Sequence, residues 1–173
     1  MYFISQNGQP CLKELIEASE KILKVYLYKT PLTDWQYTNE LLHHAYIVFE
    51  TDQWWWSIEK NSEGLTIQRA KTFDAVGKRY RQSQRTGMDY FGLQLIWEDE
   101  GRKTMNELVD FIYSKNLLNR DYNWVFSNCK RFAIEIFNFV AKNKTITPSI
   151  DGNSYALNPR GKKCPGDLYG TVL

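Results

Sequence analysis

The sequence predicts an α+β fold, an antiparallel β-meander sheet packed by helices, and three observations carry that expectation. Runs with an apolar period of two, rich in β-branched and aromatic residues, occupy the middle of the chain at Leu41 to Glu50, Gln53 to Lys60 and Leu65 to Gln68. Thr51-Asp52 separates the first two runs as the turn of a hairpin. Later, Thr104 to Tyr113 and Cys129 to Ala141 place apolar residues at helical spacing, which gives each segment one face to lay on a sheet.

Taken in order, Leu12 to about Leu23 reads as a helix, because Leu12, Leu15, Ile16, Ala18 and Ile22 recur on one side with Lys and Glu between them. From Ile22 the pattern changes to a period of two, a strand ended by Thr30-Pro31. The hairpin follows; Gly64 then introduces Leu65 to Gln68 as a third antiparallel strand, and Tyr90 to Trp97 adds a fourth. Thr72 to Gly87 is polar and basic without a firm period, a long loop or a poorly packed helix. The two late helices should pack on the sheet. After Thr147-Pro148 the composition turns to Gly, Asn, Pro and Lys, so residues 148–173 read as an extended C-terminal tail.

At 173 residues, 43% of them hydrophobic and 15% aromatic, the chain suits one substantial core, and residues 1–173 are expected to be a single domain. The formal charge of +2, from 22 basic and 20 acidic residues, favours neither nucleic acid nor an anionic membrane. Met1 to Gly8 lacks the basic and apolar regions of a secretory signal, and no stretch reaches the roughly 18 apolar residues of a membrane helix, so the expected location is the cytoplasm. Cys11, Cys129 and Cys164 are an odd number without CxxC spacing, which argues against a disulfide framework and a zinc knuckle; no metal or cofactor is expected. Asn143-Lys144-Thr145 matches a glycosylation acceptor, which has no meaning in a cytosolic chain.

Cys129 is the best candidate for chemistry. Ser127 or Asn128 can cap the helix that follows, which puts Cys129 in the first turn, where unpaired amides and the helix dipole favour a thiolate. Phe132 and Ala133 turn that side of the helix inward, an orientation that suits a nucleophile and equally an inert buried thiol. A nucleophilic thiol needs a base, and the chain has two histidines, His43 and His44, which as neighbours on a strand face opposite sides of the sheet. A turn at Thr51-Asp52 makes paired positions sum to 103, setting His44 across from Glu59 and Tyr46 across from Ser57. Glu59 is then the candidate to orient the imidazole, with Ser57 in reserve. Trp55, Ser57 and Asn128 are the candidates for contact with substrate.

The stretch HAYIVFETDQWWW followed late in the chain by YNWVFSNCKRFA resembles the permuted papain-like (NlpC-type) architecture, the group that includes the PPPDE peptidases (deSUMOylase-like) and the lecithin:retinol acyltransferase family. Tyr122, Asn123, Asn128, Cys129 and Phe132 match the peptidases' nucleophile pattern, and His44, Ile47 and Val48 match their histidine-led strand. The resemblance implies Cys129 as nucleophile, His44 as base and the Cys129 amide in an oxyanion hole, acting on a ubiquitin-like protein conjugate or an acyl-lipid. Lys130 and Arg131 stand where the acyltransferase branch often has Glu and His, and the second strand histidine of that branch is replaced by the Trp54-Trp55-Trp56 neighbourhood.

Two classes of function follow. One is a cysteine hydrolase or acyltransferase forming an acyl-thioester on Cys129 from an amide, isopeptide, thioester or lipid ester. The other is an inactive papain-like module that binds a protein partner through the Trp54 to Trp56 strand, where a partly exposed indole would mark a binding surface. A third, nucleic-acid binding through Lys78-Arg79-Tyr80-Arg81 and Arg85, is opposed by the near-neutral charge, and the competing assignment for that stretch is a solvated loop. Gly170-Thr171-Val172-Leu173 has the form of a carboxyl terminus that adds as a strand to a peptide-binding domain.

Overall fold

In the computed structural model, which describes residues 2–5, 19–31, 43–62, 64–81, 83–85, 93–118, 129–148 and 155–159, the alternating segments are strands. In chain order they are β1 (Tyr2–Ser5), β2 (Ile22–Pro31), β3 (His43–Thr51), β4 (Trp55–Lys60) and β5 (Gly64–Ala70). A short helix α1 (Phe73–Gly77), the two-residue strands β6 (Arg79–Tyr80) and β7 (Ser83–Gln84), and β8 (Gln94–Glu100) come next. Helices α2 (Met105–Ser114) and α3 (Cys129–Val140) precede β9 (Lys144–Pro148) and β10 (Tyr155–Pro159).

Six strands form one antiparallel sheet in the order β1-β5-β4-β3-β2-β8. The expected meander is β3-β4-β5. The fourth strand of the sequence reading does not extend it, because β1 occupies the free edge of β5 and β8 pairs with β2 at the opposite end. The predicted helix loses Ile22 and Leu23 to β2, and its Leu12 to Ala18 portion lies outside the described residues. Thr72 to Gly87, expected as a loop or loose helix, contributes α1 and the β6–β7 hairpin.

Alternation explains why both sheet faces carry a core. Ala45, Ile47 and Phe49 of β3 turn one way, into the larger cluster with Leu108 and Ile112 of α2 and Phe132, Ile136 and Phe137 of α3. Tyr46 and Val48 turn the other way and meet Tyr28 and the Val76 of α1, with Tyr26, Trp55 and Phe73 packed around them. Helix α2 starts with a capping box: Thr104 Oγ1 accepts from the Glu107 amide, and the Glu107 carboxylate accepts from the Thr104 amide.

The hairpin reverses at Asp52-Gln53, one residue later than expected. The Thr51 amide donates to the Trp54 carbonyl over 2.9 Å, and the Trp54 amide donates to Thr51 Oγ1 over 2.8 Å. Paired positions from Ile47↔Ile58 to Glu50↔Trp55 therefore sum to 105 and not 103. A buried carboxylate holds this register: Glu20 Oε2 accepts from Thr51 Oγ1 at 2.6 Å and from the Trp56 indole at 2.8 Å. A slide to the expected pairing would draw these two donors apart.

Within the segment read as an extended tail, β10 pairs antiparallel with β9. Asp99 ties that small sheet to β8 by accepting from the amides of Asn143 and Lys144, each at 2.8 Å, and from the Asn143 side chain at 3.0 Å. No helix among the described residues is long and apolar enough to cross a membrane.

Candidate active site

Beyond Ile47↔Ile58 the two central strands stop pairing with each other. β3 continues beside β2 through Thr30↔His44 and Pro31↔His43, while β4 continues beside β5 through Glu59↔Thr66 and Lys60↔Leu65. His44 and Glu59 face each other at the mouth of this split, with His44 Nε2 2.7 Å from Glu59 Oε2. Their meeting is diagonal. Continued by one position, the register of Ile47↔Ile58 would set Glu59 level with Tyr46, so the direct His44–Glu59 pairing expected from the sequence is corrected. A shift of two positions keeps every side chain on its own face, so the carboxylate still reaches the imidazole.

The histidines do divide between the faces. His43 is buried on the side of Ala45 and Ile47, where α3 packs, whereas His44 shares the side of Tyr46. Cys129, the first residue of α3, lies buried at the start of β3 with Sγ 4.0 Å from the His43 carbonyl oxygen. It is near enough to His44 to act on the charge of that ring. The helix covers one face of the strand, yet its first residue sits at the strand's beginning, 4.0 Å from the backbone carbonyl that precedes His44.

Burial opposes charge on the His44 ring, whose side chain is 15% exposed, but hydrogen bonds with Cys129 and Glu59 and the negative charge of both raise its pKa from 6.5 to about 10. Glu59 is held the other way. Burial alone would raise it, while the charges and hydrogen bonds of Arg85 and His44 bring its carboxyl down to about 2.

Arg85 is the residue that sequence reasoning missed. Its sequence context predicts a solvated basic loop, whereas its side chain is 4% exposed and forks onto Glu59, with Nη2 2.8 Å from Oε1 and Nη1 3.1 Å from Oε2. Its Nε donates to the Gly77 carbonyl at 3.1 Å, and its guanidinium carbon lies 3.7 Å from the centroid of the Tyr46 ring. Tyr46 donates to the same Gly77 carbonyl at 2.6 Å. No periodicity connects Arg85 to Glu59; the contact exists only once α1 and the β6–β7 hairpin have folded back over the sheet. Within the same stretch Lys78 pairs with Asp74 on α1 at 2.8 Å, and Arg79 is exposed.

The remaining candidates separate. Trp55 is half-buried against Tyr26 and Phe73, with ring centroids 6.0 and 5.5 Å away. Ser57 is fully buried and its hydroxyl accepts from the Gln68 side chain at 2.9 Å. Trp56 is buried, and Trp54 lies under Lys71, whose ammonium is 3.4 Å from a ring centroid. Asn128, with Tyr122, Asn123 and Ser127, falls outside the described residues, as does the Thr171-Val172-Leu173 terminus. Among the described residues, no group of three or more His, Cys, Asp or Glu side chains is arranged to hold a metal ion.

Comparison with family models, curated proteins and solved structures gives no match to this chain. The chemistry of the site rests on its own geometry: a thiol, an imidazole, a carboxylate and a guanidinium in series, able to carry charges of alternating sign.

Proposed function

We propose that the chain is a thiol-dependent hydrolase or acyltransferase with a permuted papain-like architecture, in which Cys129 is the nucleophile, His44 the acid–base group and Glu59 the residue that orients the ring. One observation carries the proposal: His44 Nε2 lies 2.7 Å from a buried carboxylate, with Cys129 near enough to act on the charge of the same ring. With Nε2 committed to Glu59, we assign Nδ1 to Cys129. The position of the thiol at the first residue of a twelve-residue helix adds the favourable end of the helix dipole.

In the first half-reaction the Cys129 thiolate attacks the substrate's carbonyl carbon. The carbonyl oxygen takes the negative charge, facing the Cys129 backbone amide. The bond to the leaving amine, alcohol or thiol then breaks as His44 delivers its proton to that group, and the acyl-thioester remains. Acylation removes the negative charge of Cys129, one of the interactions that hold the proton on His44. The neutral ring can then take a proton from water, or from an acceptor alcohol or amine, as that nucleophile attacks the thioester and releases Cys129. The substrate class proposed is an isopeptide or amide of a ubiquitin-like conjugate, a thioester, or a lipid ester.

The alternative, a binding module built on the Trp54 to Trp56 strand, has less support, because Trp56 is buried and Trp55 and Trp54 each pack against neighbours of the same chain. The two readings part on the reactivity of Cys129. Alkylation of the native protein, followed by intact mass and peptide mapping, should label Cys129 well below pH 8.5 and more slowly in His44→Ala. Labelling no faster than a model thiol, or only after unfolding, ends the catalytic proposal.

A further inference from the structure

We infer that Arg85 is a positioning residue that sets the ionisation of Cys129 by acting through Glu59 and His44; the inference rests on the thiol reading above. The geometry makes Arg85 more than a surface partner. Both Glu59 oxygens are committed, Oε1 to Nη2 and Oε2 to Nη1 and to His44 Nε2. The guanidinium is itself fixed by the Gly77 carbonyl and by the Tyr46 ring beneath it. A planar fork on a planar carboxylate leaves Glu59 one orientation, and that orientation holds the imidazole.

Charge gives the second part. Among the described residues, the titratable and charged groups that meet this series are His44 and Tyr46 from β3, Glu59 from β4, Cys129 from α3 and Tyr80 from β6, the last 5.6 Å from the guanidinium carbon. With Arg85 in place, thiolate, imidazolium, carboxylate and guanidinium sum to zero. Without it, the thiolate state carries a net negative charge in a buried site, whereas a neutral thiol beside the imidazolium–carboxylate pair carries none. Burial penalises the uncompensated charge, so removing Arg85 favours the thiol and raises the pH at which Cys129 ionises.

The experiment is the rate of Cys129 alkylation by iodoacetamide from pH 5 to 10 in the full chain, compared among wild type, His44→Ala, Arg85→Met and Arg85→Lys. Arg85→Met should move the profile up by about one pH unit, about tenfold slower labelling on its acidic side, with the rate at high pH unchanged. Arg85→Lys, which keeps the charge and loses the fork, should recover most of the shift. A profile unmoved in Arg85→Met, in a protein where His44→Ala slows labelling, overturns the role of Arg85 and leaves the thiol reading standing. A wild-type Cys129 no more reactive than a model thiol removes both. Should Arg85→Met fail to fold by circular dichroism, Arg85→Gln decides in its place, since it keeps donors for Glu59 and Gly77 without the charge; an unshifted profile there also overturns the inference.

Discussion

His44 holds its proton because Glu59 and Cys129 both favour its charged form, and that gives its contribution to stability a sign. Its folded-state pKa of about 10 lies above the ordinary 6.5, so the stabilisation is complete below about 6.5 and is lost as pH rises through 10. For Glu59, brought from 4.5 down to about 2, stabilisation is present above 4.5 and lost as pH falls through 2. The two contributions coexist between about 4.5 and 6.5. Urea unfolding midpoints at pH 6 and pH 10 should differ in wild type and differ less in His44→Gln; equal differences in the two proteins would show that His44 is not the linked group. The buried start of a helix at Cys129 and a shared sheet face for His44 and Glu59 were legible in the sequence, because helix position and strand parity are local properties. Arg85 was not, because its partner is fixed by how residues 73–85 fold back.

At the scale of elements, close approaches and caps decide the costs. Thr104→Ala removes the acceptor for the Glu107 amide and should cost about 1 kcal/mol in chemical denaturation. Gly101→Ala should cost more, about 1–3 kcal/mol, because a methyl group there runs into the Ile22 carbonyl where β2 passes under the end of β8. If Gly101→Ala proves the milder of the two, the backbone approach has been overstated. The strands β3, β4 and β5 and the helices α2 and α3 followed from their periods. The hairpin register did not, because it is set by Glu20, 31 positions before Thr51, and no local pattern signals a buried carboxylate waiting for two donors. The partner of β8 was equally hidden, since alternation says that a segment pairs but not with which edge.

For the whole molecule, the sheet is covered on both faces and the larger core lies under α2 and α3. Phe137→Ala, at a fully buried position on α3, should cost about 3–5 kcal/mol and lower the unfolding midpoint accordingly. Asp99→Ala acts differently. It should release the β9–β10 pair from β8, seen as faster amide exchange over residues 144–148 with β3 and β4 still protected; loss of protection throughout would mean that the small sheet is integral to the global fold. The α+β class was legible because it depends on the sum of local periods. The six-strand order depends on contacts between the chain's first strand and its fifth, which no single segment encodes.

The hairpin tip also offers a practical handle. Thr51 and Trp56 are both anchored on Glu20, whereas Asp52 and Gln53 between them are exposed. Extra residues introduced between Asp52 and Gln53 would loop outward, upstream of the anchor that holds β4 in place, and Glu59 would keep its position. A fluorophore or epitope could therefore be grafted at that point to report on the molecule while the thiol, imidazole and carboxylate stay undisturbed.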